Sequence, residues 1–336
     1  MMAMGIVLFC IISAFWTGNA EVVPDFKNCN EFFYSKQEPS GFIPRNGDGR
    51  YKRICQTLHN KRYFATLYDT KYRIPVYSAY LPDKPDGNKR PPRPNSRDWF
   101  YEPEFSNGSH EPNMMQKKDI RPEDMQNIIK NQAVDEDYKN SNYTRGHLSP
   151  YCHRNADSCM STFTFTNMAP QVPSFNNGNW CKYEEYLNKT ILPSCAVLFV
   201  VTGVIPSKDN FIKRRVNIPS HFWSAYYCQN SSMKRCSDAF IGRNTNDTNE
   251  VKTVTLNELQ DKLKVHFEGR EIRIFPALDN TILHCTTLYD TFMRACRTIY
   301  DTVYEVYRWT QESMAQQIAP LPMIPEHQMY IYSMHK

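Results

Sequence analysis

The sequence has no apolar run long enough to span a membrane and no large excess of one charge sign. Its one long apolar run, residues 5–16, is shorter than the roughly 20 residues that a membrane-spanning helix needs. Lys and Arg total 40 against 35 Asp and Glu, so the net charge of +5 permits an anionic partner without requiring one. Internal repeats and regular strand–helix alternation are also missing, which disfavours solenoid and doubly wound folds.

The apolar run predicts a secretory signal peptide over residues 1–20. Small residues, Gly18 and Ala20, precede a plausible cut before Glu21, although no Lys or Arg precedes the run. The alternative is an uncleaved anchor. Five N-x-S/T sequons support a secreted, extracellular glycoprotein without a membrane span in the mature chain. They begin at Asn107, Asn142, Asn188, Asn230 and Asn246.

Cysteine is present in an odd number, 11, but Cys10 lies inside the predicted leader. The remaining ten allow five disulfides whose pairing is open. Cys285 and Cys296 are predicted to pair elsewhere, because 11 residues of helix separate them by about 16 Å and a bridge spans at most about 7 Å. Cys152, Cys159 and Cys181 bracket a polar segment that disulfides would brace. Cys152, His153 and Cys159 fit no standard zinc spacing.

Local patterns predict both strands and helices, and their order indicates an α+β fold. Two β-rich runs form a hairpin, and residues 195–204 are predicted to form a buried strand. Helices are predicted over 121–131, over 256–264 behind a Thr255–Glu258 capping box, and over 284–313, where apolar residues recur at helical spacing. The hairpin strands are Tyr63–Leu67 and Ile74–Tyr80.

Residues 143–186 concentrate polar groups without helical or strand periodicity, which is typical of catalytic loops on a rigid scaffold. His147 can be a neutral base near pH 7, and Arg145, two residues away on an extended strand, would lower its pKa and bind phosphate. Asn176 offers a hard amide oxygen for Mg²⁺, and Glu184 lies about two helical turns on. A base, a metal ligand, an arginine and an acid suit phosphodiester hydrolysis.

The order of the motifs in this segment resembles the DNA/RNA non-specific endonuclease family. The motifs are Thr144-Arg-Gly-His147, Asn167-Met-Ala-Pro-Gln171, Phe175-Asn-Asn-Gly-Asn-Trp180 and Glu184, with Arg97-Asp98-Trp99 upstream. Residues 72–80 and 218–223 resemble the secreted vertebrate branch. The resemblance covers roughly residues 50–280 and implies a ββα-metal fold with a central antiparallel sheet, plus an extra C-terminal helix. We therefore divide the chain into a signal peptide (1–20), an endonuclease domain (21–283), an amphipathic helix (284–313) and a tail (314–336).

The resemblance implies a role for each matching residue. His147 is the general base, and Asn176 is the direct protein ligand of Mg²⁺, for which Mn²⁺ can substitute. Arg97 and Arg145 bind the scissile phosphate, while Glu184 bonds water on the metal. Asn167 positions groups around the base. The expected partners are DNA and RNA, bound through their phosphate backbone with little sequence preference, and the expected products carry 5′-phosphates.

One position departs from the family pattern, because Thr144 stands where the motif has Asp. The base and the metal ligand are kept, so we expect the chemistry to survive. Thr144 also completes the Asn142 sequon, and a glycan there would limit access of bulky duplexes. Two alternatives stay open: a nuclease-fold binding protein that has lost activity, favoured by Thr144 and the extra helix, and a phosphodiesterase for smaller substrates. Each site residue also has an ordinary structural reading, as a core histidine, a helix cap or a solvated charge.

Overall fold

The computed structural model describes most of residues 21–278 and also Cys285. The predicted leader, almost all of the predicted helix over 284–313, the tail and Arg97 lie outside the described residues. Met1–Cys285 forms one compact unit, which contains every described element. The described ranges are 21–45, 49–84, 93–95, 98–106, 109, 111–230, 235–247, 250–278 and 285.

A single antiparallel sheet of eight strands forms the centre of the molecule, in the order β1-β2-β3-β4-β9-β12-β13-β14. The predicted hairpin is present as β3 and β4, and the predicted buried strand is β9. The strands are β1 (Val22–Val23), β2 (Tyr51–Leu58), β3 (Lys61–Asp69), β4 (Ile74–Tyr80), β9 (Val197–Ile205), β12 (His221–Gln229), β13 (Arg235–Arg243) and β14 (Val251–Val254). Within the described ranges, three two-stranded ribbons accompany the sheet. They are β5 (Phe100–Tyr101) with β6 (Met115–Gln116), β7 (Thr144–His147) with β8 (Met168–Gln171), and β10 (Phe211–Ile212) with β11 (Val216–Asn217).

Seven α-helical segments lie around the sheet in the described part of the chain. The helix predicted over 121–131 is α1 and the helix predicted over 256–264 is α7. Its capping box is present, with Thr255 Oγ1 accepting from Glu258 N at 2.9 Å and Glu258 Oε2 accepting from Thr255 N at 2.7 Å. The segments are α1 (Pro122–Asn131), α2 (Asp135–Tyr138), α3 (Ala156–Ser161), α4 (Pro173–Phe175), α5 (Cys181–Tyr186), α6 (Leu192–Ser194) and α7 (Leu256–His266).

The two faces of the sheet are built differently, because side chains alternate along each strand. On β12, Trp223 joins an apolar cluster formed with the N-terminal segment and α7. That cluster packs tightly: a side chain at Gly203 would lie 2.3 Å from the Trp223 ring. The opposite face carries Phe222, which packs on Phe175 and Trp180. This second face supports the ribbon β7–β8 and the helices that follow it. The α+β class and the central antiparallel sheet are therefore confirmed.

Three disulfides join distant parts of the described chain: Cys29–Cys55, Cys195–Cys228 and Cys236–Cys285. Cys285 thus pairs outside its own predicted helix, as expected. The Cys195–Cys228 bridge fixes the end of α6 to β12. Among the described residues, no helix is both long and apolar enough to cross a bilayer.

Candidate active site

The predicted site is built on two short strands followed by a helix. β7 and β8 pair antiparallel, with Thr144 opposite Gln171 and His147 opposite Met168. A helical run begins directly after β8: α4, a π-helical segment at Asn176–Trp180, α5, a second π-helical segment at Leu187–Ile191, and α6. Gly146 permits the close pairing, since a Cβ there would lie 2.3 Å from the Gln171 side chain. His147, Asn176 and Glu184 are thus brought into one ββα unit.

His147 is half-buried between aromatic rings, with Trp99 at 5.9 Å and Phe163 at 5.0 Å between ring centroids. Burial and the nearby Arg93 guanidinium lower the pKa of His147 to about 3, opposed by a hydrogen bond to the Arg145 backbone. Because a carbonyl oxygen only accepts hydrogen bonds, the ring nitrogen that bonds the Arg145 backbone carries the proton. Nε2 is buried without a hydrogen-bond partner in the described structure. The imidazole is therefore neutral at pH 7, and one nitrogen can accept a proton.

Arg145 lies on the same extended strand as His147, but its guanidinium is held elsewhere than expected. It forms an ion pair with Asp135 of α2 and stacks over Trp99, with Cζ 4.7 Å from the ring centroid. The predicted direction of the His147 pKa shift is confirmed. Its cause differs from the prediction, because burial and Arg93 lower the pKa, whereas Arg145 contributes only a backbone hydrogen bond that raises it.

Asn176 is held by Thr144, the residue that departs from the family pattern. Asn176 Nδ2 donates to Thr144 Oγ1 at 2.8 Å, and that hydroxyl donates to Gln171 O at 2.9 Å. Because the Thr144 hydroxyl donates its only proton to Gln171 O, it can only accept from Asn176, so the NH₂ group of the Asn176 amide faces it. The amide oxygen of Asn176 therefore points away from Thr144 as a hard ligand atom.

Glu184 lies half-buried in α5, in the same helical run as Asn176. Burial raises its pKa to about 8, although Arg93 and the Cys152 thiol, 3.9 Å from Oε2, oppose the shift. A carboxyl group with this pKa is mostly protonated at pH 7 and ionises readily when a cation arrives. Glu184 can therefore change its charge when a metal ion binds nearby.

Asn167 lies fully buried beneath the ribbon. Its Oδ1 accepts from Ser78 Oγ at 3.0 Å and Ser149 N at 2.9 Å, and its Nδ2 donates to Ser149 O and Thr162 O, both at 3.0 Å. Every polar group of the side chain is thus used inside the protein. Through Ser149, Asn167 fixes the backbone that leaves His147, and its side chain is closed to solvent.

Arg93 belongs to none of the motifs, yet it acts on the candidate site. Its guanidinium lies 5.2 Å from the Tyr151 ring centroid, and it acts electrostatically on both His147 and Glu184. Arg93 lies in a basic, proline-rich stretch, residues 82–97, whose composition predicts a loop that could meet phosphates. The other basic stretch, Lys213-Arg214-Arg215, is largely used by the fold: Lys213 donates to Glu136 O, and Arg215 pairs with Asp137 at 2.7 Å.

The donor set fits a hard cation that takes few protein ligands. In the described part of the chain no three His, Cys, Asp or Glu side chains gather into a metal cluster. The Asn176 amide oxygen suits a hard cation that completes its coordination with water and phosphate. Zinc at Cys152 and His153 is disfavoured, since His153 uses both ring nitrogens, on Tyr80 OH at 3.1 Å and Glu184 O at 2.8 Å.

Comparison with known proteins agrees with this geometry. The sequence profile of the DNA/RNA non-specific endonuclease family matches residues 48–269. Human endonuclease domain-containing 1 protein is 30% identical over 245 residues, covering 71% of this chain and 46% of the relative. Human mitochondrial endonuclease G is 31% identical over 105 residues, covering 27% of this chain and 35% of the relative.

Among solved structures, a chain of the EndoG/EndoGI complex aligns with a TM-score of 0.46 and 18% identity, over 66% of this chain and 86% of that one. The chain spans less than half the length of the endonuclease domain-containing 1 proteins that it matches. The family match itself covers most of the sheet and the whole ββα unit. This chain belongs to the DNA/RNA non-specific endonuclease family.

Proposed function

We propose that this protein is a secreted, metal-dependent endonuclease that hydrolyses phosphodiester bonds of DNA and RNA with little sequence preference. The observation that carries the proposal is the ββα unit. It combines a neutral imidazole, whose Nε2 has no partner in the described structure, with an amide oxygen that Thr144 turns outward. Nucleophile activation and a hard-ligand position are the two elements that phosphodiester hydrolysis requires.

His147 acts as the general base. Its neutral Nε2 takes a proton from the water that attacks phosphorus, and the Arg145 backbone keeps the other ring nitrogen protonated and the ring oriented. Asn176 Oδ1 would hold Mg²⁺ or Mn²⁺, which would supply Lewis-acid stabilisation of the charge on the phosphate, and Glu184 would bond water on the metal. Asn167 keeps the backbone after His147 in place.

Arginines bind the scissile phosphate in this proposal. Arg93 acts electrostatically on His147 and Glu184, and Arg145 presents its guanidinium to the phosphate while its ion pair with Asp135 and its stack on Trp99 hold it in place. Arg97 takes the same role by family resemblance. Because these groups recognise phosphate and none reads base edges, binding should tolerate any sequence and weaken with salt.

The route of the protein is part of the proposal. The predicted leader ends at Ala20, and three disulfides join the described chain, as expected for an oxidising compartment. The sequon asparagine Asn142 is exposed beside β7, whereas the Nδ2 of Asn188 donates to Cys152 O at 3.0 Å within a helical segment. Glycosylation is therefore proposed at Asn142 rather than at Asn188.

The test is cleavage of plasmid DNA and of RNA by the purified mature chain, with Mg²⁺ and with EDTA. Cleavage should require the metal and fall by at least about 100-fold in His147→Ala. His266→Ala, at an exposed histidine of α7, is the matched control and should keep full activity. A native chain that binds nucleic acid without cutting it would instead establish the inactive, binding-protein alternative.

A further inference from the structure

Three glutamates, Glu21, Glu102 and Glu104, converge at the first strand, outside the ββα unit. Glu21 and Glu102 are both fully buried, and each has an Oε2 atom without a hydrogen-bond partner in the described structure. Glu104 Oε2 accepts from Val22 N at 2.5 Å. Glu102 acts on Glu21 both as a charge and as a side-chain hydrogen-bond partner, so the two carboxyl groups lie against each other. The two carboxyl groups therefore meet inside the protein, and neither Oε2 atom accepts a hydrogen bond from a donor group of the described structure.

The surroundings of these carboxyl groups supply hydrogen-bond donors but no counter-charge. Thr57 N donates to Glu21 Oε1 at 2.8 Å, and the hydroxyls of Thr164 and Thr166 donate to Glu102 Oε1 at 3.2 and 2.6 Å. Neither Glu21 nor Glu102 has a salt bridge to Lys or Arg within the described ranges. Burial and Glu102 raise the pKa of Glu21 well above its usual value. Such a pair needs either a shared proton or a cation.

Removal of the predicted leader before Glu21 would place a cation at this position. Hydrolysis of the Ala20–Glu21 bond by a peptidase consumes one water and leaves a carboxylate on Ala20 and an ammonium group on Glu21. Glu21 is already fixed, since its carbonyl oxygen accepts from Cys55 N at 2.7 Å. Backbone nitrogens of successive residues are at most about 4 Å apart, so the Glu21 nitrogen lies within about 6 Å of the Glu104 carboxylate.

We propose that the α-ammonium group formed when the leader is removed before Glu21 is the cation of this acidic site, and that its formation stabilises the active-site segment. The proposal rests on the secretion proposed above. The predicted cleavage point and the orphaned carboxyl oxygens are independent observations, one from the leader pattern and one from the packing. They coincide at the same residue.

The acidic site is connected to the catalytic residues through a short segment. Thr164 and Thr166, which bind Glu102, alternate with Phe163 and Phe165. Phe163 packs against the His147 ring at 5.0 Å, and Phe165 lies 5.8 Å from the Arg145 guanidinium. Asn167 follows directly. A cation beside Glu102 would therefore stabilise Phe163 and Phe165, against which His147 and Arg145 pack.

The test compares two forms of the full chain, one that begins at Glu21 and one that keeps Ala20 and two further leader residues. At pH 7 the form that begins at Glu21 should have a Tm higher by about 2–8 °C. An α-ammonium group paired with carboxylates has a higher pKa in the folded chain than in the unfolded chain. The difference in Tm is therefore complete below the unfolded-chain pKa of about 8 and disappears as pH rises through the folded-chain pKa. Glu102 and Glu104 are the charged groups that face Glu21.

Glu102→Gln should abolish the difference in Tm between the two forms, and Glu104→Gln, a second variant in case the first folds poorly, should reduce it. Glu31→Gln, at an exposed glutamate of the same N-terminal segment, should leave it unchanged. Equal Tm values for the two forms at pH 7 would overturn the proposal, as would a secreted chain whose N-terminus by mass spectrometry is not Glu21. These readouts do not depend on nuclease activity, so an inactive protein with the full difference in Tm would contradict only the proposed enzyme function.

Discussion

Replacing Thr144 with valine should disable the site without touching the base or the metal ligand. The change removes one hydroxyl that makes two hydrogen bonds, to Gln171 O and from Asn176 Nδ2. Each bond stabilises the fold by about 0.5–1.5 kcal/mol, and the group is half-buried, so the free energy of unfolding should fall by about 1–2 kcal/mol. The larger effect is on orientation, since the Asn176 amide loses the contact that turns its oxygen outward.

The expected loss is about 10-fold to 100-fold in Mn²⁺ affinity and in the rate of plasmid cleavage, the range found when groups that orient metal ligands are removed. Mn²⁺ binding is measured by titration calorimetry or by the loss of its free EPR signal, so the result does not depend on activity alone. Thr144→Ser keeps the hydroxyl and should stay close to native in both measurements.

Thr144→Val also destroys the Asn142 sequon, so the matched control is Asn142→Gln, which removes the sequon and keeps the hydroxyl. Asn142→Gln should bind Mn²⁺ like the native chain and differ only in cutting long duplexes. If Thr144→Val bound Mn²⁺ as tightly as Asn142→Gln, the hydroxyl would not orient Asn176 and the reasoning would be refuted.

Three further predictions concern residues around the base. Because the folded pKa of Glu184, about 8, lies above its unfolded value of about 4.3, the metal-free protein should lose stability as pH rises from 4 to 8; Glu184→Gln should flatten that decline in thermal unfolding, and an unchanged slope would contradict it. Asn167→Ala should lower the free energy of unfolding by about 3–4 kcal/mol, because it removes four buried hydrogen bonds; a stable variant with poor activity would show instead that Asn167 acts in the chemistry. Asp135→Asn should remove the ion pair that holds the Arg145 guanidinium in place, so the contact with phosphate weakens and KM for nucleic acid rises more than kcat falls. Kinetics identical to native would dismiss a positioning role for Asp135.

Local sequence patterns were sufficient for the elements whose signals lie within a few residues. The capping box at Thr255, the proline at the start of α1 and the β-branched run of β9 each depend on neighbouring residues. The ββα unit was also accessible, because His147, Asn176 and Glu184 lie within 40 residues of each other and carry family motifs.

Features that depend on distant residues could not be predicted in this way. Arg93 reaches the base from a loop more than 50 residues upstream, and no spacing rule connects the two. The Arg145–Asp135 ion pair and the Thr144–Asn176 hydrogen bond arise because separate segments fold against one another. Disulfide pairing is equally non-local, so it could be restricted at Cys285 but not assigned.

Chemical rescue tests most directly whether His147 is the general base. His147→Ala should cut plasmid DNA at least about 100-fold more slowly than the native chain, and added imidazole should restore part of that rate in proportion to its concentration. The same imidazole should not stimulate the native enzyme or Asn176→Ala. A His147→Ala variant that retained the native rate, or that stayed inactive in imidazole while still folded and binding Mn²⁺, would contradict the assignment of His147 as the base.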